Sequence, residues 1–306
     1  MDAAQVDAMK QMVLTETADA AVYGPLVEPA VLVASGALYV IAALLLHKTM
    51  RNQKPMDLKG LMRVYNLVQV AVCGYMTYGL VQELFKADMI NVFGLFSLPN
   101  VFGLNLAFDR RAEYFVLIHY LSKFLDFFDT LFIVLRKKDA QFSFLHVYHH
   151  ATIGPIWGLL LYLGYGSGTA IFGAMINSMT HVIMYSHYFV TSFGINNPLK
   201  KYITTWQICQ FYSCLMHAVV LVFSGLDTIY PPYLAWLQFG YHITMVALFT
   251  QFYNKNFKKG GAAAKAAAGK SSVKQTGTVA AEFALNNNVH ANETGVAARR
   301  RRKAEQ

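Results

Sequence analysis

The chain has 306 residues, 55% of them hydrophobic and only 14% charged. A soluble domain carries about 25% charged residues, so the composition excludes an ordinary soluble protein and points to one membrane-embedded unit. The net charge of +9 reads as a topology signal, and nucleic acid is not an expected partner. The first 26 residues are expected to stand apart from the membrane unit. Asp2, Asp7, Glu16 and Asp19 do not fit the basic start of a cleavable signal peptide. A spanning helix needs about 20 mostly apolar residues. Seven such stretches are predicted, near 27–46, 61–84, 113–135, 144–164, 167–190, 202–225 and 233–253. Only Gly164-Tyr165-Gly166-Ser167-Gly168 separates the fourth from the fifth, which predicts a tight antiparallel pair.

Basic residues orient the bundle. Lys48, Arg51, Lys54 and Lys59 follow the first stretch, and Arg136, Lys137 and Lys138 the third. Lys200 and Lys201 follow the fifth, and Lys255, Lys258 and Lys259 the seventh. The loops at 164–168 and 226–232 hold no Lys or Arg. This alternation predicts a luminal N-terminus and a cytosolic C-terminus for a membrane domain over 27–258. Residues 259–306 are rich in Ala, Gly, Ser and Asn and end in a basic cluster. They are expected to be a disordered cytosolic tail.

Ionisable residues at membrane depth are costly, so each is a functional candidate. The third stretch carries Lys123, Asp126 and Asp129; the fourth His146, His149 and His150; the fifth Asn177, His181 and His187; the sixth Gln207, Gln210 and His217. Lys123, Asp126 and Thr130 share one helix face, as do His146, His149 and His150. Asn177 and His181 share another with Met184 and Tyr185. Four consecutive polar faces escape lipid only by meeting in a common interior.

Three readings suit such a cluster. The residues tie the bundle together by hydrogen bonds; or they hold a metal, as in membrane iron desaturases and hydroxylases with histidine boxes; or they catalyse without metal, a desolvated imidazole being a nucleophile and general base. One HxxHH box beside scattered His181 and His187 falls short of the iron pattern, and Lys123 fits a cation site poorly. The metal-free reading is preferred. Seven spans also describe a receptor, but Leu135-Arg136-Lys137-Lys138 stands where a receptor has Asp-Arg-Tyr, and no NPxxY closes the seventh stretch.

Four motifs carry a resemblance. Gln141-Phe-Ser-Phe-Leu-His146-Val-Tyr148-His149-His150 is similar to a QxxxLHxYHH histidine box. Lys123-Phe-Leu-Asp126-Phe-Phe-Asp129-Thr130 is similar to KxxExxDT. Asn177 to Tyr188 resembles NxxxHxxMYxYY, and Thr204 to Phe211 resembles TxxQxxQF. Together, in this order over roughly 30–255, they resemble the ELO family of very-long-chain fatty acid elongases. Asp126 replaces the family Glu and His187 a family Tyr.

The resemblance implies an all-α integral membrane protein of seven transmembrane helices, six of them ringing a narrow substrate tunnel. It implies a multi-pass protein of the endoplasmic reticulum membrane. It further implies a very-long-chain 3-oxoacyl-CoA synthase that condenses acyl-CoA with malonyl-CoA, without a cofactor. Gln141 with Tyr148 resembles members acting on polyunsaturated chains, here C18–C20. Within this frame His149 is the expected nucleophile and His181 the acid/base, with His150, Asp129 and Asn177 orienting imidazoles. Lys123, Asp126, His146, Tyr185, His187, Gln207 and Gln210 are expected substrate-binding residues, and Lys137, Lys138 and Lys200 rim cations for CoA. The ketoreductase, dehydratase and enoyl reductase of the elongation cycle are the implied partners beside the bilayer. Oligomeric state stays open, a homodimer included.

Overall fold

The structure, a computed structural model, describes residues 23–85, 101–104, 106, 108–195 and 198–255. Nearly all of the expected luminal segment, the expected cytosolic tail and Lys258 lie outside the described residues. Among the described residues every regular element is helical: α1 Gly24–Val27, α2 Pro29–Met50, α3 Lys59–Phe85, α4 Arg110–Leu125, α5 Phe127–Leu135, α6 Phe144–Tyr162, α7 Ala170–Thr191, α8 Lys200–Phe223 and α9 Pro232–Tyr253. Each expected stretch meets a helix, the third in two pieces.

Local chemistry sets several boundaries. Pro29 and Pro232 sit in the first turns of α2 and α9, where the missing N–H costs nothing. Asp109 caps α4 by accepting from the Arg111 and Ala112 amides at 2.8 and 3.1 Å. Ser143 caps α6 through the His146 amide at 3.2 Å. Such caps are worth about 1 kcal/mol each. At Asp126 the ladder tightens: the Asp129 amide bonds to the Asp126 carbonyl three residues back, at 3.1 Å. This single 3₁₀-type step divides α4 from α5 in the middle of the polar motif.

Helices α2, α3 and α8 are long and apolar enough to cross a membrane by length and composition. Three of the other expected spans carry the polar residues that make them interesting. The third is divided, α6 carries three histidines, and α7 carries Asn177, His181 and His187. Helix α2 leaves Val33, Leu38, Ile41, Leu44 and Leu45 exposed, an apolar face suited to lipid.

Helix α2 packs on α6 and α5, α3 on α7 and α4, and α8 on α9 and α7; α9 touches α6. The expected tight pairing of α6 with α7 is not found. Instead α4 packs against both, so the glycine-rich connection spans a third helix. Positive φ at Gly164 and Gly168, 80° and 62°, lets the connection turn where a side chain would be strained.

Two glycines mark close crossings. Pro155 inside α6 has no N–H for the Ala151 carbonyl. Gly36 of α2 packs onto that carbonyl, and a Cβ there would come within 2.6 Å of it. Gly79 of α3 receives the Phe115 ring of α4. Around them Met76, Leu80, Phe115, Val116, Tyr120, Leu161 and Ile171 form the main apolar core.

Candidate active site

The site is built where α4 meets α5. Lys123 and Asp126, one turn apart, are only 2% and 1% exposed. Lys123 Nζ reaches Asp126 Oδ2 at 3.4 Å and donates to Asn177 Oδ1 on α7 at 3.0 Å. Asp126 Oδ1 accepts from Gln69 Nε2 of α3 at 2.8 Å. Tyr185 Oη of α7 lies 2.6 Å from Asp129 Oδ2 and 3.1 Å from Asp126 Oδ1. The buried charges are thus paired and hydrogen-bonded, the condition under which ions survive burial.

The histidines stand around this network. The His146 and His150 ring centroids are 4.3 Å apart, and the His149 ring meets His150 edge-on at 5.4 Å. Thr130, bonded to the Tyr39 hydroxyl, holds His146 Nε2 at 2.8 Å. On α7, His181 Nδ1 is 3.8 Å from Asp126 Oδ2. The half-buried His149 ring lies in the electrostatic field of Lys123, His181 and Asp126. No hydrogen bond to that ring is formed among the described residues, and His150 Nδ1 and His181 Nδ1 are buried without one.

Histidine, lysine and carboxylate side chains from three expected stretches therefore gather in one place. Some have other neighbours than expected. Asn177 is bound by Lys123 and Asp129 by Tyr185, so neither holds an imidazole; Thr130 does that for His146. Gln207 reaches across to Met184 Sδ on α7 at 3.5 Å, and Gln210 pairs with the Cys214 thiol on its own helix. His187 lies next to Tyr188 with Nδ1 buried and unpartnered. Among the rim cations, Lys137 has a left-handed backbone, φ 55°. Its ammonium donates to the Arg51 and Gln53 carbonyls at 2.8 and 3.0 Å, so it clamps the α2–α3 loop. Lys138 and Lys200 are half-buried; burial, then the charge of Arg136, lowers the Lys138 pKa. Among the described residues no three His, Cys, Asp or Glu side chains are grouped as metal ligands.

Sequence reasoning missed Tyr39, Tyr65, Gln69 and His119. Tyr65 and Gln69 join the Tyr185–Asp126 network through bonds of 2.9–3.3 Å. His119, fully buried, sits one turn before Lys123 and bonds Ser178 of α7 at 3.1 Å. The signal existed for Gln69 and His119, polar residues at membrane depth on a polar stripe. Tyr39 and Tyr65 look like any aromatic in an apolar helix.

The comparisons with known proteins agree with one another. The family model described as ELO: GNS1/SUR4 family matches residues 25–265. Fatty acid elongase 5 of Leishmania major is 46% identical over 72% of this chain and 83% of its own. Fatty acid elongase 5 of Trypanosoma cruzi is 42% identical over 76% and 85%. Very long chain fatty acid elongase 5 of Mus musculus is 34% identical over 87% and 86%. A polar site divided among α3 to α7 inside a chain matched over this length leaves one assignment: the chain belongs to the ELO family, the family of the fatty acid elongases it matches.

Proposed function

We propose that the protein is a multi-pass enzyme of the endoplasmic reticulum membrane that condenses a long-chain acyl-CoA with malonyl-CoA. The products are 3-ketoacyl-CoA, CO2 and free CoA, and the two thioesters are the only small molecules the reaction needs. The observation that carries this reading is the half-buried His149 ring. It has no hydrogen bond among the described residues and stands beside a fully paired Lys123–Asp126–Asn177 network. The names of the relatives from Leishmania major and Mus musculus support elongation as the pathway.

In this reading His149 attacks the acyl thioester carbonyl. The C–S bond breaks, CoA leaves, and the imidazole proton goes with the thiolate. Malonyl-CoA then loses CO2, its electron pair forms an enolate, and the enolate carbon attacks the acyl carbon and releases His149. His181 serves as acid/base, and a dry site protects the acyl-imidazole from water. Helices α3, α4 with α5, α6, α9, α8 and α7, taken by their contacts, close on themselves. That order supports a six-helix ring around the acyl chain, with α2 outside. Each buried CH2 of the chain contributes about 0.8 kcal/mol. The basic loops face the cytosol with the C-terminus, where CoA binds, and the N-terminus is luminal. Tyr148, bonded to Thr244 of α9 at 3.1 Å, and Gln141 favour polyunsaturated C18–C20 chains. The 3-keto product passes to a ketoreductase, a dehydratase and an enoyl reductase.

The test uses microsomes given radiolabelled malonyl-CoA and a polyunsaturated acyl-CoA. Wild type is expected to form labelled 3-ketoacyl-CoA, and mass spectrometry to find an acyl group on His149. Normal product from His149→Ala microsomes rules out the nucleophile.

A further inference from the structure

Two carboxylates of the site compete for one hydroxyl. Tyr185 Oη lies 2.6 Å from Asp129 Oδ2 and 3.1 Å from Asp126 Oδ1. A phenol has one proton to give and cannot serve both. Other donors favour Asp126: Gln69 Nε2 at 2.8 Å and Lys123 Nζ at 3.4 Å reach it, whereas Asp129 is offered, besides Tyr185, the Tyr65 hydroxyl, which also bonds the Leu125 carbonyl at 3.1 Å. Asp129 lies in the field of Tyr39, Tyr65, Tyr185 and Tyr188 together with Asp126 and Lys123. None of these gives it a cation within ion-pair distance among the described residues. The charge count agrees, with one ammonium, Lys123, set against two carboxylates. Asp129 is half-buried with phenols and, among the described residues, no cation against it, and two carboxylates sharing a site resist ionising together.

We propose that Asp129 carries a proton in the resting protein and donates it to the Tyr185 oxygen, so that Asp129, Tyr185 and Asp126 store one transferable proton beside His181. The role of that proton rests on the condensation reading above. Acyl-CoA and malonyl-CoA yield 3-ketoacyl-CoA, CO2 and CoA thiol only if one proton is taken up. The first half-reaction needs none, since His149 supplies the proton of the CoA thiol. In the second, the new C–C bond forms, the bond from the acyl carbon to His149 breaks, and the electron pair stays on nitrogen. That nitrogen needs a proton. Asp129 hands its own to Tyr185 while Tyr185 passes its own to Asp126. Asp126 protonates His181, and His181 delivers to His149. The 3.8 Å step between Asp126 and His181 is of the kind that tightens in a loaded site. Solvent water refills Asp129 after product leaves.

The stored proton is read by infrared difference spectroscopy on the full chain in lipid nanodiscs, in H2O and D2O. A carbonyl band of a protonated carboxyl is expected, shifted down by D2O and absent from Asp129→Asn. A wild-type spectrum without that band, or a band retained in Asp129→Asn, overturns the proposal. The relay is read by separating the half-reactions in Tyr185→Phe, which keeps the ring and removes only the hydroxyl. Condensation from preformed acyl-enzyme is expected to fall about 10²-fold, and CoA release from acyl-CoA alone at least tenfold less. Equal losses in both halves overturn the relay. If wild type forms no acyl-enzyme, the condensation reading fails, and the infrared result still decides where the proton sits.

Discussion

Two histidine environments in this molecule are built in opposite ways. His217 of α8, 1% exposed, uses both ring nitrogens. Nε2 meets Thr169 Oγ1 at 2.9 Å and the Phe102 carbonyl at 3.1 Å, and Nδ1 meets Gln238 Nε2 at 2.8 Å. Phe102 and Phe172 pack its faces. The His149 and His150 rings meet at 5.4 Å, and His150 Nδ1 and, on α7, His181 Nδ1 are buried without a hydrogen bond among the described residues. Burying a polar atom without a partner costs about 1–3 kcal/mol. A fold that meets this demand in full at His217 and leaves it unmet at His150 and His181 has kept those nitrogens for something other than cohesion.

The contrast can be broken by substitution. His149→Ala is expected to lower condensation by about 10³-fold or more with the detergent-solubilised melting temperature unchanged; a large fall in melting temperature would place His149 with His217. Asp126→Ala strands Lys123 in the interior and is expected to cost about 3–5 kcal/mol, read by chemical denaturation in micelles. Asp126→Glu, which restores the charge, should recover most of it. His217→Leu leaves the Gln238 side-chain amide unpartnered and Thr169 with the Phe102 carbonyl alone, and is expected to cost about 1–3 kcal/mol, with acyl-enzyme formation retained in the protein that stays folded. Gly79→Ala forces the Phe115 ring aside and is expected to cost about 1–3 kcal/mol. Lys137→Ala removes the loop clamp and is expected to change the KM for acyl-CoA less than about twofold, with about 1 kcal/mol lost in stability. A large rise in KM would return Lys137 to the CoA rim.

The helices and the membership of the site were legible because lipid is a strict solvent: every charged or imidazole-bearing residue in an apolar stretch had to face inward. That argument places residues on faces, and Lys123, Asp126, His146 and His181 met as it requires. It does not say who bonds whom. Asn177 and Asp129 were expected beside imidazoles, but a lysine and a tyrosine reached them first, and a one-residue difference in helix phase decides such contests. The expected pairing of α6 with α7 rested on a short connection. Contact between helices follows side-chain fit as well as loop length, and α4 fits between them.

Wedging α4 between α6 and α7 has a consequence for how this protein can vary. The histidines on either side are fixed by their own helices, whereas Lys123 and Asp126 are placed by counting along α4 from its Asp109 cap. One inserted residue between cap and lysine would rotate the pair by about 100°, away from Asn177 and His181, with both histidine helices untouched. Letters in that stretch are free to change; its length is not.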